Sequence, residues 1–169
     1  AYLATLDQKV ALIKQQGIDA VNVFTFTREL SSVTPEGFVD LMEREYQLAE
    51  LWVGPDFAMG RDRLGTPDRM AQIGRGRGFS VAVMPPHTLA GEIVSSTRIR
   101  ALLVGGNVAT ARTLLGRPYS LRGIVETGAG RGTPLGFPTA NVRPPVDMTM
   151  PADGVYVVQL ERSEEHTSE

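Results

Sequence analysis

Val94-Ser95-Ser96-Thr97-Arg98-Ile99-Arg100, running on into Ala101-Leu102-Leu103, joins a strand-like approach to a helix that opens in hydroxyl residues and two arginines. A helix start leaves backbone N–H groups unpaired and carries the positive end of the helix dipole, which favours an anion. Ser96 and Thr97 would add hydroxyl donors, and Arg100, one turn past Thr97, can reach back to the same anion with Arg98 beside it. The same residues also read as an ordinary N-cap with two solvated arginines, and both readings stand at this level.

Outward from that stretch, Gly105-Gly106 ends the helix, Asn107 can cap a second one reaching Leu115, and Gly116 stops it. Upstream, Thr5 with Gln8 forms a capping box for a helix of about ten residues that Gly17 ends. Thr34-Pro35-Glu36 and Thr66-Pro67-Asp68 repeat one helix-start device, with Pro at the first helical position and an acid in the first turn. Between the helices, Ile18 to Phe26, Leu51 to Gly54 and Phe79 to Met84 are apolar runs that read as buried parallel strands. Alternating strand and helix implies an α/β fold whose ligands collect beyond the carboxyl ends of strands. The loop after Val53, with Asp56, and the Ser95 to Arg100 stretch would then face one crevice, although an Asp after Gly-Pro is commonly a turn residue. Arg75 and Arg77, set among Gly74, Gly76 and Gly78, read as a solvated turn rather than a nucleic-acid tract.

Past Arg117 the pattern changes. Ser120 to Thr127 and Gly154 to Leu160 alternate apolar and polar residues, as antiparallel strands do. Between them lies a Gly-rich run from Gly128 to Asn141 that matches neither the P-loop nor the dinucleotide fingerprint. Its Gly128, Gly130 and Gly132 would let backbone N–H groups approach a phosphate, Arg131 would add charge, and Thr139 and Asn141 offer oxygens suited to Mg²⁺. A Gly/Pro loop with no ligand is the alternative. The expected division is thus 1–116, 117–162 and a polar 163–169 tail, read as non-native, that breaks the preceding pattern.

Composition narrows the classes. With 42% hydrophobic residues a packed core is affordable, and a net charge of −2 with no cysteine argues against a nucleic-acid binder and against disulfides or thiolate metal sites. No membrane partner is expected, and the default location is the cytoplasm. The oligomeric state stays open.

Val94 to Arg100, Leu115-Gly-Arg-Pro-Tyr119, Gly132 to Asn141 with its Pro-Thr-Ala-Asn, Pro151-Ala-Asp-Gly-Val-Tyr156, and Leu51 to Gly60 resemble, in order and spacing, the bacterial bifunctional riboflavin kinase/FAD synthetase family. The resemblance covers roughly residues 1 to 160 and implies an incomplete Rossmann-like nucleotidyltransferase domain followed by the start of an antiparallel β-barrel kinase domain. It implies that riboflavin is phosphorylated to FMN and FMN adenylylated to FAD, with ATP and Mg²⁺. Carried over, Ser96, Thr97 and Arg100, helped by Arg98, would bind ATP phosphates for adenylylation, with Asp56 in the flavin and nucleotide loop. Thr139 and Asn141 would serve ATP and Mg²⁺ in the kinase step beside Gly128 to Gly132. Two departures stand out. The family's His-x-Gly-His motif is absent, His87 and His166 standing in other contexts, and Glu164 and Glu165 do not match the setting of the kinase's catalytic glutamate. The chain is therefore expected to hold parts of two sites and neither in full, and to be inactive alone. A monofunctional adenylyl- or cytidylyltransferase and a non-catalytic binding module are the competing readings; the Pro138-Thr139-Ala140-Asn141 motif speaks against the first.

Overall fold

The computed structural model describes residues 1–128, 134, 136 and 139–161, which fold as a mixed α/β chain. Two compact units emerge, one of Val10–Val94 and one of Ala1–Lys9 with Ser95–Glu169. The expected helix at the N-terminus is α1 (Leu6–Lys14), and its capping box forms: the Thr5 N–H donates to Gln8 Oε1 at 2.8 Å and the Gln8 N–H to Thr5 Oγ1 at 3.3 Å.

In the 10–94 unit, α2 (Arg28–Ser32) precedes α3 (Pro35–Tyr46), β1 (Glu50–Val53), α4 (Pro67–Arg77) and β2 (Ser80–Val83). Both Thr-Pro-acid triplets start helices as read: Thr34 Oγ1 accepts the Gly37 N–H at 3.1 Å, and Thr66 Oγ1 the Arg69 N–H at 3.3 Å. Strands β1 and β2 pair in parallel, Glu50 opposite Ser80 through Val53 opposite Val83. Helix α4 packs against β2, and α3 against α4. The core between these layers is Val39, Met70, Ile73 and Phe79, flanked by Leu51, Phe57, Met59 and Val81. Gly74 is required there, because a Cβ at that position would strike the Phe79 carbonyl oxygen.

Three sequence expectations change in this unit. Ile18 to Phe26 is not a strand; it has no ladder partner, and Val23, Phe24 and Phe26 are exposed. An apolar run becomes a strand only where a neighbour satisfies its backbone, and among the described residues β1 and β2 pair only with each other in parallel. Arg75 and Arg77 lie in the last turn of α4 rather than in a turn beyond it, since the helix continues to a left-handed Gly78 with φ 84°. Arg77 reaches across to Asp40 and Glu43 of α3, which raise its pKa, and Arg69 donates to Glu36 at 2.5 Å. Glu36 is held below the usual carboxylate range by its own first-turn N–H and then by Arg69. Finally, β3 (Thr88–Leu89) and β4 (Glu92–Ile93) form an unforeseen hairpin. Its Ala90-Gly91 turn has both φ values positive, at 52° and 79°, the twist that matches flanking strands.

In the other unit, α5 (Ser96–Val104) and α6 (Val108–Leu115) pack together, with Asn107 and Gly116 as the caps read from the sequence. β5 (Ile124–Glu126) and β6 (Asn141–Arg143) pair antiparallel. The run from Ser120 to Thr127 is thus a strand only over its last half, and Gly154 to Leu160 is not a strand. Val155 and Val157 stand fully exposed with no ladder, so their alternating pattern finds no surface to bury against. Among the described residues the two strands do not close into a barrel.

Candidate functional site

The first cluster sits at the start of α5. Ser95, extended at φ −140°, is the cap, and its Oγ accepts the Arg98 N–H at 3.3 Å. Ser96 and Thr97 fill the exposed first turn. Arg100 is three residues beyond Thr97 and four beyond Ser96, so the three share one helix face, while Arg98 lies off it. Ile99 and Leu103 are buried and fix the helix in place. Arg100 is half-buried, and its Nε is enclosed without a hydrogen-bond partner. A guanidinium N–H shut away from water costs free energy unless something accepts from it. An anion at this helix end would meet first-turn N–H groups, two hydroxyls and that cation.

Asp56 belongs to the 10–94 unit, in the turn that leaves β1, where the Phe57 N–H donates to the Gly54 carbonyl at 3.1 Å. Its geometry is that of the turn residue allowed for above.

The second cluster is the β5–β6 hairpin. In its register Ile124 faces Arg143, Val125 faces Val142 and Glu126 faces Asn141, so the Gly-rich run becomes the connection between the two strands. Glu126 also pairs diagonally with Arg143. At the hairpin base the Gly128 backbone lies against the Asn141 side chain: a Cβ on Gly128 would run into the amide nitrogen, with Oδ1 farther off at 3.2 Å. The structure therefore joins two of the predicted residues, and Thr139 stands exposed just ahead of them. Gly130, Arg131 and Gly132 lie outside the described residues. An Asn amide oxygen and a Thr hydroxyl are hard donors that would suit a Mg²⁺ that keeps waters and takes its remaining ligands from phosphates. Among the described residues no cluster of His, Cys, Asp and Glu could hold a metal by itself.

An open cleft of about 580 Å³ lies elsewhere on this unit, lined by Asp7, Arg122, Arg143 and Pro144 among others. It contains none of the predicted residues, and exposed side chains form most of its wall.

Sequence reasoning missed the strap that runs from Asp147 to Ala152. Tyr2 pairs with it, its N–H donating to the Asp147 carbonyl at 2.6 Å and its carbonyl accepting the Thr149 N–H at 2.8 Å. Tyr119 Oη donates to the Thr149 carbonyl at 2.6 Å, and burial pushes the Tyr119 phenol up, with Arg117 opposing. The Ala152 N–H donates to the Leu103 carbonyl of α5 at 3.0 Å. Such backbone contacts leave no mark in residue type.

With this geometry in place, the likeness to known proteins is specific. The profile of the FAD synthetase family matches residues 1–98, and that of the riboflavin kinase family residues 115–168. A bifunctional riboflavin kinase/FMN adenylyltransferase of Listeria monocytogenes is 35% identical over 159 residues, covering 94% of this chain and 50% of its own length. The protein of that name from Escherichia coli is 34% identical over 161 residues, covering 95% of this chain and 51% of itself. A crystal structure named as a macrolide-efflux protein from Streptococcus pneumoniae superposes with a TM-score of 0.79 at 30% identity, over 91% of this chain and 49% of that one. The chain spans about half the length of the curated relatives it matches. A family match over residues 1–98, more than half of the chain, carries the assignment: the chain belongs to the FAD synthetase family.

Proposed function

We propose that this chain works in flavin cofactor synthesis, contributing to two ATP-dependent steps at two sites. In the first, the terminal hydroxyl of riboflavin attacks the γ-phosphorus of ATP, giving FMN and ADP. In the second, an FMN phosphate oxygen attacks the α-phosphorus of another ATP, giving FAD and pyrophosphate. Both are in-line displacements in which positioning and charge neutralisation carry the catalysis.

The observation that carries the reading is the start of α5, where Ser96 and Thr97 share a helix face with an Arg100 whose buried Nε lacks a partner. We assign this end to ATP phosphates in adenylylation, with Arg98 as helper, and in the 10–94 unit we assign Asp56 to flavin and nucleotide binding. We assign the β5–β6 hairpin to the kinase step, in which Asn141 and Thr139 would hold Mg²⁺·ATP, with Gly128 leaving room for the Asn141 amide. Gly130, Arg131 and Gly132 of the connecting run are assigned to the same ATP. Mg²⁺ when bound would screen the phosphate charge; the protein's part is to orient the phosphates, with Gly128 giving the Asn141 amide its place. On this reading residues 1–116 belong to a Rossmann-like transferase domain and 117–162 to a kinase barrel, in the cytoplasm, with small molecules rather than nucleic acid as partners. Among the described residues no helix is long and apolar enough to cross a membrane.

Titration of the chain with Mg²⁺·ATP tests the assignment. Arg100→Ala is expected to weaken binding about tenfold or more, and the parent's affinity to fall as salt rises. Unchanged affinity in the variant, against a parent that binds, would remove the phosphate role.

A further inference from the structure

Helix α5 has a second anchored end. Its last carbonyls accept from the turn that follows, Leu102 from the Asn107 N–H at 2.8 Å and Leu103 from the Gly106 N–H at 2.9 Å, and that of fully buried Leu103 accepts the Ala152 N–H as well, at 3.0 Å. Gly106 follows in a left-handed turn at φ 79°, where a Cβ would lie 3.4 Å from the Ala152 Cβ and 3.5 Å from Tyr156 Oη. Tyr156 Oη in turn donates to the Ala152 carbonyl at 2.7 Å, so one hydroxyl closes the turn that presents the Ala152 amide to the helix. Arg100 lies three residues before Leu103, one turn along the same rod. Upstream, the strap holding Ala152 begins four residues after β6 ends at Arg143.

We propose that Tyr156, a residue of the region matching riboflavin kinase, is a positioning residue for adenylylation: through Ala152 it clamps the end of α5 and so sets the pose of Arg100. The proposal rests on the reading of α5 as a phosphate-binding helix. It makes the Pro151–Tyr156 segment serve the transferase site as well as its own region. Without the Ala152 bond the last turn is held only by the Gly105, Gly106 and Asn107 amides and opens more readily, and Arg100 borders that turn.

The test compares the chain with Tyr156→Phe, which removes only the hydroxyl, and with Val155→Ala, a fully exposed neighbour. Hydrogen exchange is followed at the Ala152, Gly105, Gly106 and Asn107 amides, with the amides of α4 reporting that the fold is intact. Mg²⁺·ATP affinity is titrated in parallel, with Arg100→Ala as reference. Tyr156→Phe is expected to speed exchange at Ala152 and Gly106 about 3- to 10-fold and to weaken ATP binding by a similar factor. It should keep the salt dependence that Arg100→Ala lowers, and α4 exchange should not change. Val155→Ala should do none of this. Unaltered exchange at Ala152 and Gly106 in Tyr156→Phe overturns the clamp. If Arg100→Ala weakens ATP binding and Tyr156→Phe does not, the positioning role alone is overturned. If Arg100→Ala has no effect either, the phosphate reading of α5 fails and takes this role with it.

Discussion

Gly128 and Asn141 lie in van der Waals conflict for any larger residue: the backbone at 128 touches the amide of 141 across the base of the β5–β6 hairpin, on the strand pair where Glu126 faces Asn141. Asn141 lies 13 positions past Gly128 in the sequence, and pairing of the strands makes them neighbours.

Gly128→Ala should therefore push the Asn141 amide aside. In a protein that spans the full length of the curated relatives, riboflavin phosphorylation is expected to drop by about 10²-fold, because a misplacement of about 1 Å is enough for that. FMN formation followed by chromatography gives the answer; a rate within twofold of the parent would mean that Asn141 does not act from this position.

The two glycines of α4 should respond in opposite directions. At Gly74 a Cβ meets the Phe79 carbonyl, so Gly74→Ala is expected to cost about 1–3 kcal/mol through overpacking. At Gly76 nothing lies within 4 Å, so Gly76→Ala should raise stability by about 0.5–1 kcal/mol by restricting the unfolded chain. Urea unfolding of both variants checks this, and equal effects would contradict the packing of α4 on the start of β2.

Tyr119 provides a pH signature. Burial raises its phenol above the usual value of about 10, so the folded state favours the neutral form that donates to the Thr149 carbonyl. The unfolded chain ionises first, hence this contribution is present below about pH 10 and is lost as pH climbs through the raised folded value. The ultraviolet titration difference between the parent and Tyr119→Phe should show a midpoint above 10. A midpoint at or below 10 would show the phenol to be solvated.

Helices were legible in the residues wherever their determinants are local. Thr34-Pro35-Glu36, Thr66-Pro67-Asp68, Asn107 and Gly116 each cap within one turn, and each does so in the structure. Strands were less so, because Ile18 to Phe26 and Gly154 to Leu160 carry the right residues and lack partners. The candidate sites divide the same way. Ser96, Thr97 and Arg100 share a face by helix periodicity alone, whereas the Gly128 contact with Asn141 needs the strand register, and the Leu103–Ala152 bond joins backbone groups that no side chain announces.

The most direct test of two separate sites assays Arg100→Ala and Asn141→Ala in a protein that spans the full length of the curated relatives, each with riboflavin and with FMN as acceptor. Arg100→Ala is expected to lower FAD formation from FMN about 10²-fold or more and to leave FMN formation from riboflavin within about twofold. Asn141→Ala should give the reverse pattern. If either substitution abolished both activities in protein shown to be folded, the two sites would not be separate and the assignment of α5 and the β5–β6 hairpin to different steps would be wrong.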